Sequence, residues 1–239
     1  MGSIAASIPI VNGGSKPDAR YPQPLKQSGT LDKFESEDVT PVIGREFPSA
    51  NFVDDFLNAA DSDNLLRDLA ITISERGVVF FRAQDNLSND LQKHFIQRLG
   101  EVTGKPLTST LHIHHVLNGP GEFGDDSQIS NISSVHRRKL LDVSNQQNKR
   151  QYDAAQWHSD IQFERVPADY SNLRLIELPK TGGDTLWASG YEIYERFSEP
   201  VQTFLEGLTG YFLSAMDLSK LPRQGEQHCT RKLEAPLKI

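Results

Sequence analysis

Two side chains that can bind a metal, His158 and Asp160, are separated by one residue in the sequence Trp157-His158-Ser159-Asp160. If this segment is a β-strand, residues two apart point to the same side, so an imidazole and a carboxylate converge on one point. These two groups and a second histidine form the ligand set of non-haem Fe(II) oxygenases, which leaves adjacent metal positions open. Short His-x-Asp sequences also occur in surface turns, so the spacing alone leaves both interpretations open.

The sequence before this pair predicts two helices and a strand. Asp61 or Ser62 can cap a first helix that ends at Gly77. Its apolar residues recur at helical spacing and are Leu65, Leu66, Leu69, Ala70 and Ile73. The short apolar run 78–81 follows directly and predicts a buried strand. A second helix is predicted over 88–100, with a serine as its cap and a glycine at its end.

The sequence after the pair predicts strands and then helices. The strands are expected at Tyr170–Leu178 and Asp184–Ala188, joined by a glycine-rich turn over 179–183. Helices are expected at Tyr191–Phe197 and from about Pro200 to Leu208. The fold class that this order of elements indicates is α+β.

Composition limits the classes of protein to which the chain can belong. The net charge of −7 argues against nucleic-acid binding, which needs a cationic surface. A single cysteine, Cys229, and the absence of a long apolar run favour a cytoplasmic protein that does not bind membranes. Residues 1–45 are rich in Pro, Gly and Ser, a composition that predicts a disordered arm. The folded domain is predicted over residues 46–217, and residues 218–239 are predicted to form a divergent tail.

Several motifs resemble the taurine/2-oxoglutarate dioxygenase family (TauD/TfdA), in particular its fungal sulfonate-dioxygenase-like members. They occur in the family's order and are RGVVFFRAQ (76–84), LHIH (111–114), WHSD (157–160), LPKTGGDTLWAS (178–189) and FLEGLTG (204–210). The resemblance implies a double-stranded β-helix, or jelly-roll, with a mainly β core and flanking helices. Because too few strands are predicted for a complete jelly-roll, we expect an incomplete one.

The resemblance also implies a reaction and its site residues. His158 and Asp160 match the family's ligands to Fe(2+), and Thr185 matches the threonine that binds a carboxylate of the cosubstrate 2-oxoglutarate. A hydroxyl group there gives the carboxylate a hydrogen-bond donor without adding a charge. The other reactants implied are O₂ and a small-molecule substrate, which would be hydroxylated.

His114 matches a family histidine that contacts the substrate's sulfonate group. A strand over 111–117 would place His114 and His112 on one face. Two departures from the family weaken the match: His115 stands where proline is usual, and 154–156 lack the family's asparagine. A substrate-binding role and that of a half-buried strand histidine therefore both stay open for His114.

The family's second metal-binding histidine and its 2-oxoglutarate-binding arginine have no matching segment in this sequence. His228 is the only histidine after Asp160, and its surroundings do not indicate a core strand. The first expectation is a dioxygenase acting on a sulfonate or other small organic acid. The alternatives are a truncated, inactive remnant or a ligand-binding protein of the same family. The sequence does not indicate an oligomeric state.

Overall fold

A computed structural model describes residues 24–113, 126–133, 157–162, 164 and 167–208. Its centre is a three-stranded mixed sheet with the order β1-β2-β3. The strands are β1 (Glu37–Asp38), β2 (Arg45–Phe47) and β3 (Val79–Phe81). β1 and β2 are antiparallel, whereas β2 and β3 are parallel. The strand predicted after the first helix is therefore confirmed as β3, but its three residues are only partly buried, so the predicted burial is wrong.

The first predicted helix is confirmed as α1 (Ser62–Arg76), which begins after Asp61 and ends at Gly77. Its apolar stripe lies against the core, where Leu65, Leu66 and Leu69 have no exposed surface. Gly77 has φ +70°, a conformation that favours glycine because it has no Cβ atom. A Cβ atom there would also lie 3.2 Å from the side chain of Ile43.

The second predicted helix is confirmed as α2 (Asn89–Val102), which continues two residues past the expected stop at Gly100. The Ser88 hydroxyl caps it by accepting a hydrogen bond from the backbone N–H of Leu91. The two later helices are also present, as α3 (Gly190–Glu195) and α4 (Glu199–Glu206). No helix in the described part of the chain is long and apolar enough to cross a membrane.

Aromatic rings fill the space between the sheet and the two long helices. Phe52 and Phe56 lie on a short π-helix, Phe52–Leu57, in which the second and third backbone N–H groups donate to Asn51 Oδ1. The ring of Phe52 lies 4.0 Å from that of Phe81 and 4.3 Å from that of Phe95, measured between centroids. This cluster joins β3, α2 and the π-helix into one core.

The segment before β1 packs on α1 through a buried carboxylate. Asp68 has no exposed surface, and it accepts hydrogen bonds from the backbone N–H and hydroxyl groups of Ser28 and Thr30. A short 3₁₀-helix, Thr30–Lys33, follows and buries Leu31. In the described part of the expected arm over 1–45, residues 28–33 pack on the domain, a contact that local composition does not reveal because the partner is distant in sequence.

The strands predicted at Tyr170–Leu178 and Asp184–Ala188 are wrong, since both segments are irregular in the structure. Residues 111–113 of the third predicted strand are also irregular, and the rest of it lies outside the described residues. A strand needs a hydrogen-bonded neighbour, which local alternation of apolar residues cannot guarantee. The predicted α+β class agrees with the observed mixed sheet and helices. The incomplete jelly-roll stays a prediction, and so does the divergent tail over 218–239, which lies outside the described residues.

Many apolar side chains after residue 172 face solvent. Those more than half exposed are Leu175, Ile176, Leu178, Leu186, Ile193, Phe204 and Leu208. They contrast with the core between α1, α2 and the sheet, whose apolar residues are almost fully buried. The described chain therefore consists of a packed body, 28–103, and a loosely packed later part.

Candidate metal and cosubstrate site

The side chains of His158 and Asp160 meet in the structure. His158 Nε2 lies 3.1 Å from Asp160 Oδ1, and both side chains are more than two-thirds exposed. The segment is not the β-strand that the spacing argument assumes, because residues 157–159 are irregular and a turn begins at Asp160. The expected convergence of the two groups nevertheless occurs, although the segment that carries them is not a strand.

The geometry of this pair fits two neighbouring ligands of one metal ion. Ligands at about 2.1 Å from a metal and at right angles to each other lie about 3 Å apart, close to the observed 3.1 Å. A neutral imidazole and a carboxylate are also a donor set that suits Fe(II). Among the described residues, no group of three or more His, Cys, Asp or Glu side chains could hold a metal.

Thr185 lies on a separate, irregular segment and is exposed. Gly182 and Gly183 precede it with φ +75° and +78°, which confirms that this turn needs glycine conformations. A Cβ atom on Gly183 would lie 3.2 Å from the ring of Pro179. Within the described residues, no hydrogen bond joins Thr185 to His158 or Asp160. The structure thus brings together the two predicted metal ligands, and the role of Thr185 stays a prediction.

Hydrogen bonds anchor the segment around residue 173 to the start of α2. The Gln92 amide donates to Asn172 Oδ1 at 2.7 Å. The Arg174 guanidinium donates to Asn89 Oδ1 at 2.5 Å and to the backbone carbonyl of Leu87. These contacts fix one end of the chain that leads to the glycine turn and Thr185.

Comparison with known proteins decides the family. A family model described as "Taurine catabolism dioxygenase TauD, TfdA family" matches residues 35–233. The chain belongs to the TauD/TfdA family. This match includes all four predicted site residues, His114, His158, Asp160 and Thr185, and it confirms the resemblance seen in the motifs.

Several curated proteins similar to this chain are fungal dioxygenases that depend on alpha-ketoglutarate, which is 2-oxoglutarate. The chain is 49% identical over 191 residues to the dioxygenase oryG of Aspergillus oryzae, covering 79% of this chain and 54% of oryG. It is 46% identical over 199 residues to the dioxygenase btcD of Neocamarosporium betae, a match that covers 80% of this chain and 58% of btcD. An alpha-ketoglutarate-dependent sulfonate dioxygenase of Saccharomyces cerevisiae is 29% identical over 187 residues, a match that covers 78% of this chain and 41% of the yeast protein.

The chain spans about half the length of the curated relatives it matches. No solved structure matches it significantly. Membership of the TauD/TfdA family implies the cosubstrate 2-oxoglutarate and, in general, Fe(II).

One aromatic contact ties the family's GGDTLW motif to the packed body. The ring of Trp187 meets the ring of Phe80 on β3 edge to face, with centroids 5.5 Å apart and an interplanar angle of 77°. Phe80 and Phe81 point to opposite sides of β3, so Phe81 reaches the aromatic core while Phe80 faces Trp187. Trp187 follows Thr185 by two residues, and this contact therefore positions the Thr185 segment.

We expect Phe80→Ala to release Trp187 and to shift its fluorescence to longer wavelength. An edge-to-face pair contributes about 0.5–1.5 kcal/mol beyond the area it buries, so the effect should be local rather than global. The measurement uses a Trp157→Phe background, which leaves Trp187 as the only tryptophan. Phe204→Ala, at an exposed ring, is the control. An unchanged emission spectrum in Phe80→Ala would contradict the anchoring role.

Sequence analysis missed a second polar pair near the metal ligands. His112 Nε2 lies 2.8 Å from Glu164 Oε1, and both side chains are largely buried. The family motif LHIH drew attention to His114, which lies outside the described residues, rather than to His112. No local signal marks Glu164, because its partner lies 52 residues earlier in the chain.

Proposed function

We propose that this chain contributes the metal- and cosubstrate-binding half of an Fe(II)/2-oxoglutarate-dependent dioxygenase that hydroxylates a sulfonate or other small organic acid. The observation that carries the proposal is the 3.1 Å approach of His158 and Asp160 within a sequence that matches the family. The substrate class is supported by relatives named as sulfonate dioxygenases in two yeasts. A cytoplasmic location is supported by the single cysteine.

In this proposal His158 and Asp160 would hold Fe(II), which when bound supplies the activation of O₂ and the oxidative decarboxylation of 2-oxoglutarate. On binding the metal, His158 would give up the Nε2 hydrogen bond to Asp160, present the lone pair of Nε2 and carry its proton on Nδ1. Asp160 would contribute a charged oxygen, which offsets part of the cation's charge. Neither role requires the two side chains to move far, because they already converge.

Thr185 would orient 2-oxoglutarate by donating its hydroxyl hydrogen to a carboxylate of the cosubstrate. His114 would orient the substrate by donating a ring N–H to its anionic group. Both roles are positional, since a correctly oriented substrate is what a reactive metal centre requires of its protein.

The test is titration of the purified chain with Co(II), which replaces Fe(II) without oxidising and reports binding by its visible absorption. His158→Ala and Asp160→Ala should each weaken Co(II) binding by at least about a hundredfold, because loss of residues that merely support a ligand already costs 10–100-fold. Matched controls are His94→Ala and Asp85→Ala, at exposed positions. Unchanged Co(II) affinity in both site variants would overturn the proposal.

A second measurement separates an oxygenase from a ligand-binding protein. With Fe(II), ascorbate and a panel of alkylsulfonates, an oxygenase releases succinate from 2-oxoglutarate, and Thr185→Ala should raise the 2-oxoglutarate concentration needed for half-maximal rate. Binding of Co(II) and 2-oxoglutarate without succinate release would favour the ligand-binding alternative for this chain.

A further inference from the structure

Helix α4 presents an apolar side to solvent. Its apolar residues recur at the spacing of one helix face and are Val201, Phe204, Leu205 and, directly after the helix, Leu208. We call these four residues the α4 stripe. Phe204 and Leu208 are 64% and 52% exposed. In a surface helix such a stripe normally faces the core, so the described chain leaves the apolar side of α4 uncovered.

A different side of α4 makes the contacts that hold the helix in place. The Gln202 side-chain amide donates to the backbone carbonyl of Tyr194 on α3 at 3.0 Å. The Tyr194 hydroxyl donates to the Glu206 carboxylate. Gln202 and Glu206 are four residues apart, so they share one side of the helix, and this side is not that of the stripe. Polar contacts with α3 therefore fix the rotation of α4 so that the stripe points outward.

Helices α3 and α4 are too short to be stable by themselves. They have 6 and 8 residues and contain no buried residue, whereas isolated helices shorter than about 12–15 residues are marginal in water. Within the described chain, their side-chain hydrogen bonds all stay inside 189–208. Apolar side chains grouped on one exposed face are typical of an interaction surface. Covering the stripe with another polypeptide would stabilise both helices.

The relatives indicate which polypeptide fits the stripe. The family model matches 35–233 and so includes all of α4, yet the chain covers only 54% of oryG and 58% of btcD. These relatives therefore contain polypeptide that this chain does not match. A second copy of the chain fits less well, because 190–206 carry four glutamates and a single basic residue, Arg196. Two copies docked through α4 would bring like charges together.

We propose that the α4 stripe is the docking surface for a polypeptide related to the part of oryG that lies outside its match to this chain. Docking would bury Phe204 and Leu208 and would leave Gln202 in contact with Tyr194, so α3 and α4 need not rearrange. The proposal rests on family membership and on the exposed stripe. It holds whether or not His158 and Asp160 bind a metal.

Amide hydrogen exchange in a fusion protein tests the docking. The longest stretch of oryG outside its match is joined to the full chain by a flexible Gly/Ser linker, and exchange is followed at residues 201–208. We expect exchange there to be at least about tenfold slower in the fusion than in the chain alone, because covering the stripe stabilises α4. Exchange in α1, which is already packed, should stay the same. Unchanged exchange at 201–208 would overturn the proposal.

Two substitutions on different sides of α4 give a matched comparison within the fusion. Phe204→Glu places a charge in the stripe, where docking would bury it without a partner. Thr203→Glu places the same charge at an exposed position on the other side of the same helix. Phe204→Glu should remove the slower exchange at 201–208, and Thr203→Glu should keep it within about threefold. Equal loss in both variants, or loss in neither, would overturn the stripe as the docking surface.

Sedimentation of the chain alone separates this docking from self-association. We expect the unchanged chain, Phe204→Glu and Thr203→Glu all to sediment as monomers at micromolar concentration, because the acidic residues around the stripe repel a second copy. A dimer that Phe204→Glu dissociates and Thr203→Glu preserves would make the stripe a contact between two copies, and it would overturn the proposed occupant.

Discussion

Replacing Phe56 by alanine should lower the free energy of unfolding by about 4 kcal/mol, in the range found for buried phenylalanines. Phe56 has no exposed surface. Its ring stacks on Phe34 with centroids 5.3 Å apart, and it meets the edges of Phe52 and Phe81 at 6.1 and 5.7 Å. The substitution would remove one ring from a group of mutually packed rings and leave a cavity that rigid neighbours cannot fill.

Urea unfolding followed by circular dichroism measures this loss as a lower midpoint at an unchanged slope. Phe204→Ala removes the same atoms from a ring that is 64% exposed and should change stability by less than about 0.5 kcal/mol. A loss below about 1 kcal/mol for Phe56→Ala would mean that the aromatic cluster is not the centre of the fold.

Replacing Asp68 by alanine should cost about 3 kcal/mol, because it removes the buried, charged acceptor of several hydrogen bonds from Ser28 and Thr30. We expect the loss to appear first as release of the segment that contains the 3₁₀-helix, visible as faster hydrogen exchange at residues 28–33. Asp63→Ala on the same helix is the control, since Asp63 is 76% exposed and pairs with Arg98 at the surface. Such exposed pairs contribute about 0.2–1 kcal/mol.

Lowering the pH should weaken the hydrogen bonds that Asp68 accepts from Ser28 and Thr30. Burial acts to raise the pKa of Asp68, but the hydrogen bonds from Ser28 and Thr30 outweigh burial and hold this pKa below its ordinary value of 3.8. A depressed folded-state pKa contributes stability that is fully present above the unfolded value and is lost as the pH falls through the folded value. The stability difference between the unchanged chain and Asp68→Asn should therefore be large at neutral pH and shrink below about pH 4. A difference independent of pH would contradict an ionised Asp68.

Elements with a strong local signal were predictable from the sequence. The leucines at helical spacing and Gly77 define α1, Ser88 defines the start of α2, and the apolar run around Phe80 defines β3. Each signal depends on neighbours within a few residues, so it needs no knowledge of the rest of the fold.

Elements that depend on distant partners were not predictable. The carboxylate of Asp68 interrupts the apolar face of α1, and this was the one available sign that something polar packs there. Its partners near residue 29 have the composition of a flexible arm. The strand expected around Thr185 failed for the converse reason, since no neighbouring strand pairs with it in the described chain.

At the candidate site, spacing predicted the convergence of His158 and Asp160 but not its cause. The i, i+2 rule assumes a strand, whereas residues 157–159 are irregular and are followed by a turn in which Ile161 has φ +48°. Backbone strain and the contact between His112 and Glu164 are properties of the folded chain. They leave no trace in the spacing of residue types.

The parallel pairing of β2 with β3 sets the order in which the core can assemble. Arg45 pairs with Val79, 34 residues later (79 − 45), so the two strands cannot meet through a tight hairpin. Closing a loop of that length carries an entropic cost that a preformed α1 reduces, and helices form within about 0.1–1 μs. We therefore expect strand pairing to follow the formation of α1, which brings β3 within reach of β2.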